Sequence, residues 1–168
     1  MRPSGLVFLG VRRQKAPVSR LTFNQTLERL VHVLTVTEDP WWILGSAAMY
    51  LKGYDPGHIG DIDVLLSEAD AQRVMSVQAL NNDSDGGTPR YRSTYVLRPH
   101  LGKVPVELLA GYEIFQNPDW YPVWPLSRIA LTYRNNEIFV PSDKELISIF
   151  ERLGRTKDFD RIRAIQAR

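Results

Sequence analysis

Hydrophobic positions in this chain fall into helical stripes and short strand-like runs that succeed one another in a definite order. Leu27, Leu30, Val31 and Leu34 recur at i, i+3, i+4 and i+7, which predicts a helix capped by Asn24. Thr35 to Pro40 breaks it. The apolar run Trp41 to Leu44 ends in Gly45-Ser46, and the small-residue segment Ala47 to Lys52 predicts a short helix. A turn-rich loop, GYDPGHIG, leads into a second apolar run around Asp61 and Asp63 that continues Val64-Leu65-Leu66, the pattern of a buried central strand. Ser67 with Asp70 forms a capping-box pattern ahead of a helix reaching about Leu80.

The second half is richer in strands. Asn81 to Arg90 is a polar loop, expected to be the most mobile segment. Tyr91 to Leu97 is predicted as one extended run with Tyr91, Ser93, Tyr95 and Leu97 on a common face. After a turn at Pro99 and Gly102, Lys103 to Ala110 places Val104, Val106 and Leu108 on one face and Glu107 with Leu109 on the other. Gly111 to Pro125 is dense in aromatics and prolines. Arg128 to Tyr133 and Glu137 to Val140 predict a hairpin whose Asn135-Asn136 turn tolerates positive φ. Ser142 with Glu145 opens a helix with Leu146, Ile147, Phe150 and Leu153 inward and Gly154 at its end. A last helix carries Phe159, Ile162 and Ile165 as its apolar stripe.

At 168 residues the chain has the length of one domain, with ordinary hydrophobic and charged fractions of 43% and 24%. A net charge of only +2 gives no general affinity for nucleic acid, and a long nucleic-acid substrate is disfavoured. With no cysteine there is no disulfide, thiolate metal site or Cys nucleophile. No apolar run approaches the ~20 residues that cross a bilayer, and no cleavage site follows the opening MRPSGLVFLGV, so a cytoplasmic location without membrane attachment is expected. Arg2, Arg12, Arg13, Lys15 and Arg20 precede the first acid, Glu28, and mark residues 1–20 as a basic arm. Such an arm either follows a phosphate backbone or is a loosely ordered terminus. Residues 21–168 form the domain proper.

The chemistry concentrates around the central strand. Residues i and i+2 of a strand share a face, so Asp61 and Asp63 stand side by side while Ile62 and Val64 enter the core. Adjacent carboxylates repel unless a cation sits between them, and all-oxygen ligands suit a hard ion such as Mg²⁺. Glu107, the single acid of its apolar strand, is the natural third ligand, or else a strand-edge glutamate reaching water. Gly45-Ser46 either punctuates a strand-to-helix turn or receives a phosphate on free N–H groups and the Ser46 hydroxyl. His58 touches a substrate or only fills its loop. Trp120, Tyr121 and Trp124 offer rings for stacking on a base, or serve packing.

Gly45-Ser46 followed by Asp61-Ile62-Asp63 resembles the signature of the nucleotidyltransferase fold, the polymerase-beta-like superfamily. Val104 to Leu109 is similar to its third-carboxylate strand. Lys144 to Ile147 through Gly154-Arg155-Thr156-Lys157-Asp158 is similar to the ending of its small bacterial members. The resemblance implies an α/β (α+β) fold: a mixed β-sheet flanked by helices, with a C-terminal helix pair. It implies transfer of a nucleoside monophosphate from an NTP to an acceptor hydroxyl, with two Mg²⁺ ions held by Asp61, Asp63 and Glu107. Gly45, Ser46 and Lys157 would bind the nucleotide, with Arg155 as a further cation; alternatively Arg155 and Lys157 belong with Arg152 and Arg161 to a solvated basic face. Glu107 stands where Asp is commoner, and Phe150 where relatives often carry a phosphate-binding lysine. Those departures support an alternative, a regulatory or binding module with weak turnover, such as a toxin–antitoxin component. The acceptor is unidentified, and a protein partner or a second copy of the chain would complete its site.

Overall fold

The computed structural model describes residues 19–168, so the basic arm lies outside the described residues except for Ser19 and Arg20. In chain order the elements are α1 (Arg20–Val33), β1 (Trp42–Ile43), α2 (Gly45–Leu51), β2 (Ile62–Leu66), α3 (Glu68–Val77), β3 (Tyr91–Arg92) and β4 (Tyr95–Leu97). There follow β5 (Val106–Ala110), β6 (Glu113–Gln116), β7 (Asp119–Pro122), β8 (Ile129–Tyr133), β9 (Asn136–Val140), α4 (Asp143–Leu153) and α5 (Thr156–Gln166). A mixed four-stranded sheet of order β1-β2-β5-β4 is the frame. In it β2 runs parallel to β5, and the two outer strands pair antiparallel to their neighbours. The mixed α/β architecture with a C-terminal helix pair agrees with expectation.

Alternation along the strands decides what each face of that sheet does. Ile43, Ile62, Val64, Leu66, Val106 and Leu108 enter the main core with Leu27 and Leu30 of α1 and Val74 of α3. Burying each such side chain contributes about 1.5–3 kcal/mol. The opposite face carries Asp63, Glu107 and Leu109, together with a smaller apolar cluster of Trp42, Leu44, Leu65, Tyr112, Ile149 and Leu153. One face is therefore wholly core, and the other is core at one end and polar at the other. The functional side chains can gather only on the second.

Several local expectations are corrected. The cap of α1 is Ser19, which accepts from the Thr22 N–H at 3.3 Å. Asn24 lies inside the helix, buried, and takes the Tyr133 hydroxyl at 2.8 Å. Ser67 does cap α3. The Asp70 carboxylate, instead of closing the box, accepts the N–H groups of Glu38 and Asp39 at 3.0 and 2.8 Å. The run from Tyr91 to Leu97 divides between two sheets, β3 pairing with β6 and β4 with β5. Asn82 and Ser84 donate side-chain bonds to the Thr94 and Ser93 carbonyls at 3.0 and 2.6 Å, so the loop expected to be loose is strapped to that break.

The aromatic segment forms an unanticipated hairpin, β6–β7. At the β8–β9 turn the positive φ values fall on Arg134 (+49°) and Asn135 (+67°), one residue earlier than expected. Ser142 caps α4, and Gly154 ends it at φ +60°. In α5, Ile162 and Ile165 are buried, but Phe159 is half exposed, and the fully buried Asp158 takes the inward position. Among the described residues no helix is long and apolar enough to cross a membrane.

Candidate active site

The polar end of the sheet is laid out by strand register. Pairing of β2 with β5 sets Asp63 opposite Glu107. Pairing of β4 with β5 sets Leu97 opposite Leu108, so the next residue, Arg98, falls beside Glu107. Asp63, Glu107 and Arg98 thus form one row across three strands, with Asp61 two residues behind Asp63. All four line a cavity of about 330 Å³.

The cavity has an apolar wall and a cationic one. Leu44, Leu109, Tyr91, Tyr112, Ile149 and Leu153 make the first; Arg155, Lys157 and Arg161 line the second. Beside it lies a lobe of about 500 Å³ that shares Ser46, Asp61, Lys157 and Arg161 and is also lined by His58. Gly45, Ser46, Lys157 and the three expected carboxylates are thereby brought into one place. Trp120, Tyr121 and Trp124 are not among the lining residues. Trp120 packs against Phe115 and under the Arg92 guanidinium, and Trp124 sits edge-on to Trp42. The rings that do face the cavity belong to Tyr91, Tyr112 and Phe150.

Gly45 opens α2 at φ +64°, and a Cβ there would stand 3.4 Å from Asp63 Oδ2. The Leu44 N–H donates to the Asp63 carbonyl at 2.9 Å, which locks the turn onto the strand. Seven residues make α2 a short helix with a small dipole, so the turn has its own N–H groups and the buried Ser46 hydroxyl to offer a phosphate. Gly45→Ala is expected to cost about 1 kcal/mol, the penalty of a left-handed backbone with a Cβ. Urea unfolding should show a lower midpoint at unchanged slope.

Charge is out of balance within the cavity. Burial first, then the charges of Asp61 and Glu107, raise the Asp63 carboxyl to about 7, against a lowering from Arg155 and Lys157. Burial, then Arg155 and Arg161, depress Lys157. An unneutralised acidic pair thus faces crowded cations that would welcome an anion. Arg155 is held by the buried Asp158 through its Nε at 2.7 Å, Nη2 at 3.0 Å and backbone N–H at 3.1 Å. The Arg161 guanidinium bonds the same carboxylate at 3.5 Å and lies over the Phe150 ring, 5.6 Å from its centre.

Asp61 and Asp63 fit a hard divalent cation. Glu107 already has a partner: its Oε1 accepts Arg98 Nε–H at 2.8 Å. Among the described residues no three acidic or imidazole side chains converge closely enough to hold a metal ion.

The same arrangement of elements recurs in solved structures. The TM1012 protein of Thermotoga maritima, a proposed nucleotidyltransferase, superposes with a TM-score of 0.69 at 17% identity, over 88% of this chain and 94% of that one. The chain has the nucleotidyltransferase fold. An antigenic nucleotidyltransferase-like protein from Paracoccidioides brasiliensis matches at TM-score 0.52 and 20% identity, covering 90% and 77% of the two chains. ANT(2'')-Ia, in complex with adenylyl-2''-tobramycin, matches at TM-score 0.50 and 12% identity, covering 87% and 89%. No family model matches the sequence, and no curated protein does.

Within the nucleotidyltransferase fold of this chain, several lining residues escaped the sequence, among them Tyr112, Arg161 and Arg98. Tyr112 sits beyond the β5 run in a segment read only as aromatic-rich. Arg161 looked like part of a solvated basic face, and its i+3 spacing from Asp158 was the available signal. Arg98 could be found only by pairing β4 with β5 in register.

Proposed function

We propose that the chain transfers a nucleoside monophosphate from an NTP to an acceptor hydroxyl. The observation that carries this is the placement of Asp61 and Asp63 opposite Arg155, Lys157 and Arg161 in one cavity. Arg155, Lys157 and Arg161, with Ser46, hold the triphosphate, and Tyr91 and Tyr112 give the base an apolar wall. Asp61 and Asp63 hold Mg²⁺, which when bound supplies positive charge for the phosphate oxygens and the pyrophosphate leaving group. The acceptor oxygen attacks the α-phosphorus, the bond to the bridging oxygen of the β-phosphate breaks, and pyrophosphate departs. Glu107 Oε2, the oxygen left open by the Arg98 Nε bond, takes the hydroxyl proton.

A cavity of this size suits a small-molecule acceptor, and the adenylylated aminoglycoside seen with ANT(2'')-Ia supports that class. The small net charge disfavours long nucleic acid. Label from α-³²P NTP should pass to a small molecule in an extract with Mg²⁺ present, and be lost in Asp63→Asn. The Arg98–Glu107 pair favours a second reading, a nucleotide-binding regulatory module. Tight NTP binding without label transfer, together with co-purification of a protein partner, would select it.

A further inference from the structure

The row Asp63, Glu107, Arg98 contains an arginine where a metal-dependent site would gain from more acid. Its position is fixed by the sheet: the residue after Leu97 must lie beside the residue before Leu108, because those two are paired. Cross-strand neighbours of opposite charge attract at this spacing. Arg98 Nε–H reaches Glu107 Oε1 at 2.8 Å, and its Nη1 lies 3.8 Å from an Asp83 oxygen. Asp83 is itself placed by the strapped loop, its N–H donating to the Val96 carbonyl at 2.8 Å. The guanidinium is therefore held from the β5 side and from the loop side. It stays charged at any working pH and cannot be titrated away.

We infer that Arg98 is a built-in counter-cation for Glu107, so that this pocket takes one divalent ion, on Asp61 and Asp63, in place of two. The inference rests on the proposed function, since it presumes a divalent ion at the Asp pair. Its charge logic is direct. Glu107 has Arg98 as its own cation, which leaves the two charges of Asp61 and Asp63 for a single divalent ion. A second ion at Glu107 would have to displace the Arg98 donor or sit against its positive charge.

Bound Mn²⁺, counted by electron paramagnetic resonance at saturation with a non-hydrolysable ATP analogue, tests this without any turnover. Wild type should hold one Mn²⁺ per chain, Arg98→Gln two, and Arg98→Lys, which keeps the charge, one. Arg98 is about half exposed, so both variants should fold, and a thermal melt verifies that. Two ions in wild type would overturn the inference and leave the proposed function standing. One ion in both wild type and Arg98→Gln would overturn it too, as would two in Arg98→Lys. No Mn²⁺ on wild type, at analogue concentrations that saturate the chain, would overturn the metal site of the proposed function and the inference with it.

Discussion

Asp63→Asn is expected to melt higher than wild type at pH 8 in metal-free buffer, and to melt alike near pH 4. The reason is the direction of the Asp63 shift. Its carboxyl is raised from an ordinary 3.8 to about 7 in the folded chain, by burial and then by Asp61 and Glu107. Below pH 4 the group is protonated in both the folded and unfolded states and contributes no difference. Between about 4 and 7 the unfolded chain releases the proton and the folded chain keeps it, so stability falls as pH rises. Above 7 the folded state carries the whole penalty. At about 1.4 kcal/mol per unit the upper bound is about 4 kcal/mol. Residual solvent contact screens the charge, so roughly 2 kcal/mol is expected, or about 4–8 °C for a chain of this length. An Asp63 that satisfied buried donors would behave oppositely, with Asn costing about 1–3 kcal/mol. Melts of both proteins from pH 4 to 8 separate the two outcomes.

Asp158→Ala should have the largest destabilising effect of any single change in the site. Its carboxylate is fully buried and holds Arg155 by side chain and backbone, with Arg161 on the second oxygen. Removing it strands two guanidinium groups, of which Arg161 is nearly buried. Breaking a buried ion pair on one side costs about 3–5 kcal/mol, which corresponds to roughly 6–20 °C here. The same change frees both arginines from the cavity wall, so nucleotide affinity should fall in chain kept folded at low temperature. Urea unfolding and nucleotide titration at 10 °C measure the two effects. A loss below about 1 kcal/mol would mean that Asp158 does not organise the cationic wall.

What could be read from the sequence was what depends on local period. Ile62 and Val64 alternate with Asp61 and Asp63, and Val106 and Leu108 with Glu107, so the faces of both central strands follow from spacing alone. Ser142 and Gly154 bound α4 because capping is a property of a few adjacent residues. The failures share a physical cause: a distant group outbid the local one. Asn24 suits a cap, yet Tyr133 gives it a buried partner from another element. Tyr91 to Leu97 alternates like one strand, but the Asn82 and Ser84 side chains occupy the carbonyls at its middle. The three carboxylates could be chosen from the sequence, whereas the pairing of Glu107 with Arg98 follows from antiparallel register. The Arg161 guanidinium over the Phe150 ring, a contact between α4 and α5, is likewise set by how the two helices pack and not by local spacing.

Calorimetric titration of the four NTPs into the full-length chain, with and without Mg²⁺, tests the central claim most directly, using wild type beside Asp63→Asn. The account predicts Mg²⁺-dependent binding of at least one NTP to wild type, and its loss in Asp63→Asn although that variant is at least as stable. Absence of binding by all four, or equal binding with and without Mg²⁺ in both proteins, would contradict it.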